Sequence, residues 1–165
     1  MSEPATTDNG RQAGTAGGPA RVAVVGAGAL AAEVVRNLGL AGIPASMHSS
    51  DGFWTTLRLA ELQECYCAVA AGLEPDARRR LNGLCQVAGV DFVNVGCDAD
   101  GISVETFPFG SDAGCACLDC DPRGVDPVTH RQADPISTSV AGALGAAAAL
   151  HCAGHGARRL LIRDL

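Results

Sequence analysis

Lysine is absent from the 165 residues, and all twelve basic side chains are Arg, so any mechanism that needs a side-chain ammonium is excluded. Aromatic residues make up only 4% of the chain, so a core has to be built from Ala, Val and Leu. No apolar run reaches the roughly 20 residues that span a bilayer. The Ala-rich stretch from Val140 to Leu150 stops at His151, and the polar N-terminus lacks a signal-peptide core. These two absences predict a cytoplasmic protein with no membrane partner. An excess of positive charge is also missing. Twelve basic against eighteen acidic residues leave a net charge of −6, and nothing concentrates enough cationic charge to attract a phosphate backbone. Nucleic acid is therefore not expected as a partner, and a protein, peptide or small molecule is.

What the chain does contain is 47% hydrophobic and 18% charged residues, the balance of a globular protein. Its length suits one domain with a sizeable core. Residues 1 to 20 carry almost no large apolar side chain and cannot repay the entropy of ordering, so they read as a disordered tail before a single domain over residues 21 to 165. Arg21-Val22-Ala23-Val24-Val25 is a β-branched run without alternation, the pattern of a strand buried on both faces of a parallel sheet. Gly26-Ala27-Gly28-Ala29-Leu30-Ala31 turns out of it. Leu30, Val34, Val35 and Leu38 then recur at helical spacing until Gly39 and Gly42 supply stop signals.

Further along, Ile43 to His48 reads as a short strand, Leu57 to Glu64 as a helical piece and Tyr66 to Ala71 as another buried strand. Pro75 opens a helix over Glu74 to Val87, which Gly89 ends. Asp91 to Gly96 and Ile102 to Phe107 read as strands, the second with period-2 alternation that predicts one wet face. A Cys-containing loop from Phe109 to Pro135 precedes an Ala-rich helix over Ile136 to Ala153 and a closing strand over Arg159 to Arg163. The fold class expected is α/β, a reduced doubly wound, Rossmann-like sheet that is mostly parallel with an antiparallel part.

Two motifs point to chemistry. Gly26-x-Gly28-x-x-Ala31, after a buried strand and opening a helix, has the form of a dinucleotide-type turn: Gly26 for the bend, Gly28 for phosphate approach, Ala31 for close helix packing. The alternative is a tight strand-to-helix turn that binds nothing. The acidic residue such sites place about 20 positions on has only Asp51 as a candidate, which argues against plain hydride transfer. The second motif, Cys115-Ala-Cys117-Leu-Asp-Cys120, puts three thiols within six residues, whereas structural zinc takes four ligands. Cys152, His130, His151 and His155 are the candidates for the fourth, and free or oxidised thiols are the alternative. Cys65, Cys67, Cys85 and Cys97 read as buried small residues. His155, after Gly154, reads as a helix C-terminal residue.

The order of these pieces resembles the ThiF-type, ubiquitin-activating-enzyme-like superfamily. The resemblance is carried by Val22-Ala-Val-Val-Gly-Ala-Gly-Ala-Leu30, Ala77-Arg-Arg-Arg-Leu-Asn82-Gly-Leu-Cys85, Gly101-Ile-Ser-Val-Glu-Thr-Phe-Pro-Phe-Gly110, Cys117-Leu-Asp-Cys120, and the last helix and strand. It covers most of residues 21 to 165. It implies a fold that holds ATP and Mg²⁺ and adenylates the C-terminal glycine of a small protein or peptide, with Gly28, Arg78 and Asn82 in matching positions and Asp51 and Arg58 standing in for the ribose acid and a basic residue. If Cys117 and Cys120 hold zinc, the metal is expected to be structural, joined to the C-terminal helix through His151, Cys152 or His155, since no H-E-x-x-H or comparable arrangement is present.

The chain departs from that pattern where the chemistry is done. The family's metal-binding carboxylate falls on Leu73, and its Lys has no counterpart. Such groups contribute several kcal/mol each to a triphosphate transition state. The expectation is therefore an accessory protein that binds a precursor peptide or partner enzyme in a cytoplasmic modified-peptide or sulfur-transfer pathway. Thr129-His-Arg-Gln-Ala-Asp-Pro135 resembles the loop of the peptide-biosynthesis branch, although residues 1 to 20 are too short for that branch's N-terminal peptide-binding module. The alternative is an ATP-dependent adenylating enzyme completed by a second subunit. A homodimer is expected, because the helix from Ser139 to Leu150 is rich in Ala and Gly and permits close backbone approach.

Overall fold

The computed structural model describes residues 21–49, 59–98, 101–110, 118, 133–155 and 161–162. Strand β1 (Arg21–Gly26) leads into helix α1 (Gly28–Leu40) and strand β2 (Ala45–His48). A short helix α2 (Leu59–Gln63), strand β3 (Cys65–Ala71), helix α3 (Pro75–Ala88) and strand β4 (Asp91–Asp98) follow. Strand β5 (Gly101–Phe107), helix α4 (Pro135–His155) and strand β6 (Leu161–Ile162) complete the described chain. The strands form one sheet in the order β2-β1-β3-β4-β5-β6. Pairing is parallel from β2 through β4, and β5 runs antiparallel to both β4 and β6. This is the expected α/β class, a doubly wound, Rossmann-like sheet with an antiparallel part. The tail over residues 1 to 20 lies outside the described residues.

Alternation along the strands divides the core between the two sheet faces. Val22, Val24, Cys67, Val69, Val93, Val95 and Val104 pack on one face against Leu30, Ala31, Val34 and Leu38 of α1 and Ala141, Ala149 and Cys152 of α4. Ala23, Val25, Ala68, Ala70, Phe92 and Phe107 pack on the other, against Leu62 of α2, Leu81 and Cys85 of α3, and Leu118. The first face follows the aliphatic core expected from composition. The second departs from it, because fully buried Phe92 and Phe107, with ring centroids 5.7 Å apart, fill the space over β4 and β5. Each such side chain contributes about 1.5–3 kcal/mol of transfer free energy, well above what an Ala provides.

Both long crossover helices stop where glycine allows. After α1, Gly42 has φ +74° and donates to Gly39 O while Ile43 N donates to Leu38 O. After α3, Gly89 has φ +66° and donates to Gln86 O while Val90 N donates to Cys85 O. These paired 5→2 and 6→1 bonds are Schellman closures.

The wet face expected on β5 is confined to its first half, where Gly101 and Ser103 are half-buried. On the same face Glu105 is only 3% exposed. Strand β6 pairs along the outer edge of β5, so β5 is not an edge strand. Glu105 lies directly opposite Asn94 of β4, whose Nδ2 donates to Oε2 at 3.3 Å. Alternation correctly separated the two faces but could not show that Glu105 was covered.

Helix α4 starts at Asp134, whose carboxylate accepts from the backbone N–H groups of Ile136 and Ser137 and from the Ser137 hydroxyl. Asp-Pro at the entry is a capping signal that the sequence reading passed over. Hydrogen bonds, first from the Ser137 side chain and then from the Ser137 backbone, hold the Asp134 carboxyl below its ordinary range. A depressed carboxyl stabilises the fold above the unfolded-state value, and that stability is lost as pH falls through the folded value. The melting temperature of Asp134→Ala should therefore lie below wild type at neutral pH. In thermal melts the gap should begin to narrow below about pH 3.9, the ordinary Asp value, and close only as pH falls through the lower folded value.

Candidate functional site

Strand β1 connects through α1 to β2 on one side, and the chain then crosses to β3 on the other. The carboxyl ends of β1 and β3 therefore flank a topological switch point, where doubly wound sheets open a crevice. Gly26 closes β1 there. A Cβ at this position would run into the Ala71 carbonyl oxygen of β3, so the two strand ends meet backbone to backbone. Ala27 is extended and provides no side-chain cap for α1, whose first turn holds no acidic residue. Ala27, Gly28 and Ala29 are exposed, and Gly28 has φ +76° with open space around it. Among the described residues no side chain caps the first turn of α1, an arrangement suited to an anion. Ala31 is fully buried against the sheet, in the packing role its place in the motif implies.

On the opposite wall, Gly72 follows β3 with φ +65° and donates its N–H to Val95 O at 3.0 Å. A Cβ there would stand 3.6 Å from Leu30 Cδ2 of α1, so the walls approach each other at this point. Gly72 was not singled out in the sequence, and a glycine directly after a buried strand was the available signal. Leu73 turns away from the crevice and is 6% exposed in the cluster on the α3 face. Arg78 is half-buried, and its backbone N donates to Glu74 O at 2.9 Å. Asn82 lies seven residues beyond Pro75, about 10 Å along the helix axis, and is 1% exposed. Its Oδ1 accepts from the Leu118 backbone N at 3.4 Å.

The structure therefore brings Gly26, Gly28 and Ala31 together, and places Asn82 in the interior. Asp51 and Arg58 lie outside the described residues.

The thiols divide between the two faces. Cys152, on α4, packs beside Cys67 of β3 on the α1 face. Leu118, from the middle of the three-cysteine motif, is buried on the opposite face. Cys115, Cys117 and Cys120 lie outside the described residues, as does His130. The sheet separates Cys152 from Leu118, a placement that linear spacing could not show. His151 is half-buried on α4, and His155 is the last residue of that helix. Among the described residues, no three His, Cys, Asp or Glu side chains gather as a metal centre.

Cys65, Cys67 and Cys85 are buried as expected, while Cys97 is half-buried. Burial is the main cause that raises all four thiols above their ordinary value, so they are poor nucleophiles at neutral pH. At Cys97 a hydrogen bond with Thr138 opposes the rise, and the Asp134 and Asp98 carboxylates add to it. Burial likewise pushes the Tyr66 hydroxyl up to about 12, with Cys67 and Cys152 alongside.

No protein-family model matches the chain, and no curated protein matches its sequence.

Proposed function

We propose that this chain is an accessory protein with the scaffold of the ThiF-type, ubiquitin-activating-enzyme-like superfamily, and that it binds a precursor peptide or partner enzyme without adenylating it efficiently. The proposed setting is a cytoplasmic biosynthetic pathway of the modified-peptide or sulfur-transfer kind. The observation that carries this reading is the fate of the nucleotide-side residues. Leu73, in the place of the metal-binding carboxylate, is buried in an apolar cluster. Asn82 is buried and engaged with Leu118, and the chain has no Lys to neutralise a developing phosphate charge.

A second reading, an adenylating enzyme completed by another subunit, is favoured by the uncapped α1 N-terminus at the crevice. Calorimetry with ATP and Mg²⁺, run beside a pyrophosphate-exchange assay, separates the two. Absence of exchange, together with capture of a specific peptide or enzyme, is the result expected. Tight Mg²⁺-dependent binding with exchange would establish the second reading instead.

The proposed homodimer would use only part of the helix from Ser139 to Leu150. Gly142 and Gly145 of α4 face Glu33 and Val34 of α1 and Val95 of β4 within the same chain. A dimer through this helix would use the exposed stripe of Ile136, Val140, Ala143 and Ala147. Pro135–Ala153 is long and apolar enough, by length and composition alone, to cross a membrane. Part of this helix, 39% of the apolar window, is buried on α1 and the sheet.

A further inference from the structure

Cys65 and Cys67 of β3 are two residues apart, a spacing that puts both side chains on one face of a regular strand. Here they part. The register against β1 slips between Arg21, paired with Cys65, and Val22, paired with Cys67, so Tyr66 is an extra residue in β3. Such a bulge re-aims the side chains around it. Cys65 joins the core on the α3 face, whereas Tyr66 and Cys67 pack on the face covered by α1 and α4. Helix α4 approaches the sheet through small residues, Ala141, Gly145, Ala149 and Cys152. Cys67 is fully buried, Cys152 is 8% exposed, and their thiols are hydrogen-bonding partners. Both are free cysteines. The Tyr66 hydroxyl, buried beside them, has no hydrogen-bond partner among the described residues.

We propose that Cys67 and Cys152 form a redox-sensitive dithiol site, which a peroxide closes to a disulfide that ties α4 to β3. Cys152, the outer thiol, meets the oxidant. Its sulfur bonds to one peroxide oxygen, the O–O bond breaks, and the thiol proton leaves with the other oxygen as water. The Cys67 sulfur then displaces hydroxide from the sulfenic acid on Cys152, and the Cys67 proton completes a second water. Two thiols are oxidised and one peroxide is reduced. Contact between the thiols offsets the low thiolate content that burial imposes on Cys67, because the second step needs no encounter. The disulfide joins elements far apart in sequence, the kind of link that restrains an unfolded chain most. The pair lies level with Val22 and Asp91, at the opposite end of the strands from the Gly26 crevice. This inference therefore stands apart from the proposed function.

Peptide mapping by mass spectrometry of the full chain treated with hydrogen peroxide tests it directly. Cleavage after Arg releases Cys67 within residues 59–78 and Cys152 within residues 132–158. The result expected is these two peptides joined as the main linked species and separated by dithiothreitol. The oxidised chain should also unfold at a higher urea concentration than the reduced one. Cys65→Ser, on the other face, should keep the link. Cys67→Ser should lose it and leave a sulfenic acid on Cys152 that dimedone traps. Recovery of Cys67 and Cys152 as free thiols after peroxide treatment of wild type would overturn the proposal, even if Cys67→Ser fails to fold. So would a link between the two peptides that survives Cys67→Ser, or Cys152 joined mainly to another part of the chain.

Discussion

Gly26→Ala should be the most damaging single-methyl change in this protein, lowering its stability by about 3 kcal/mol or more. An added Cβ would overlap the Ala71 carbonyl oxygen, with the carbonyl carbon at 3.1 Å and the Ala71 Cβ at 3.3 Å. Overpacking in a core ordinarily costs about 1–3 kcal/mol, because side chains can move aside. A strand backbone cannot. Ala71 is the last residue of β3 and is paired with both Gly26 and Val95, so relief requires parting the two central strands. Gly28→Ala is the comparison. Its φ of +76° is unfavourable for alanine but nothing lies within 4 Å, so only the backbone strain of about 1–2 kcal/mol applies. Urea unfolding of the two variants should show a large drop in midpoint for Gly26→Ala, or no recoverable folded protein, and a modest drop for Gly28→Ala. Equal midpoints would mean that the close approach of β1 and β3 is not as described.

Gly142→Ala should cost about 2 kcal/mol despite improving helix propensity. Replacing Gly by Ala inside a helix gains about 1 kcal/mol where nothing interferes. At position 142, however, the new methyl would press on the Glu33 Cβ, on the Glu33 carbonyl carbon at 3.1 Å and on Val34 N at 3.2 Å. Two of these three atoms are backbone, so α4 would have to move off α1 as a body. Gly145→Ala meets mainly the Val95 Cγ2 at 2.7 Å and the Val34 Cγ2 at 3.3 Å, side-chain ends that can partly rotate. It should cost about half as much. Gly83→Ala, in α3 with nothing within 4 Å, should raise stability by up to about 1 kcal/mol. Chemical denaturation of the three variants gives the order 83, 145, 142 from most to least stable, and a stabilised Gly142→Ala would contradict the α1–α4 contact.

These glycines also mark how far the sequence could be read. The β1-turn-α1 unit was legible because its signals are local: a β-branched run, two glycines, then apolar residues at helical spacing. The order of the later strands and helices was legible for the same reason, with boundaries a residue or two from those observed. The helix from Ser139 to Leu150 was expected to meet a second copy of the chain, whereas its Gly142 and Gly145 face α1 and β4 of the same chain. Small residues permit close approach, but the partner, here α1, is set by the crossover and not by the helix's own composition. The face of the sheet that Cys152 reaches was not legible either, since linear spacing carries no information about it.

The candidate site divides along the same line. The sequence by itself determined the fold class, the glycine turn at the crevice and the absence of lysine, because each depends on residue identity and short-range periodicity. Only the tertiary structure decided that Leu73 is buried in the core, that Glu105 is covered on β5 and paired with Asn94, and that Asn82 and Asp91 accept from the backbone of Leu118 and Gly110. Those outcomes depend on what lies across a sheet or under a helix at separations of 11 to 36 residues, where packing and the need to satisfy buried polar groups decide the partner and local pattern carries no signal.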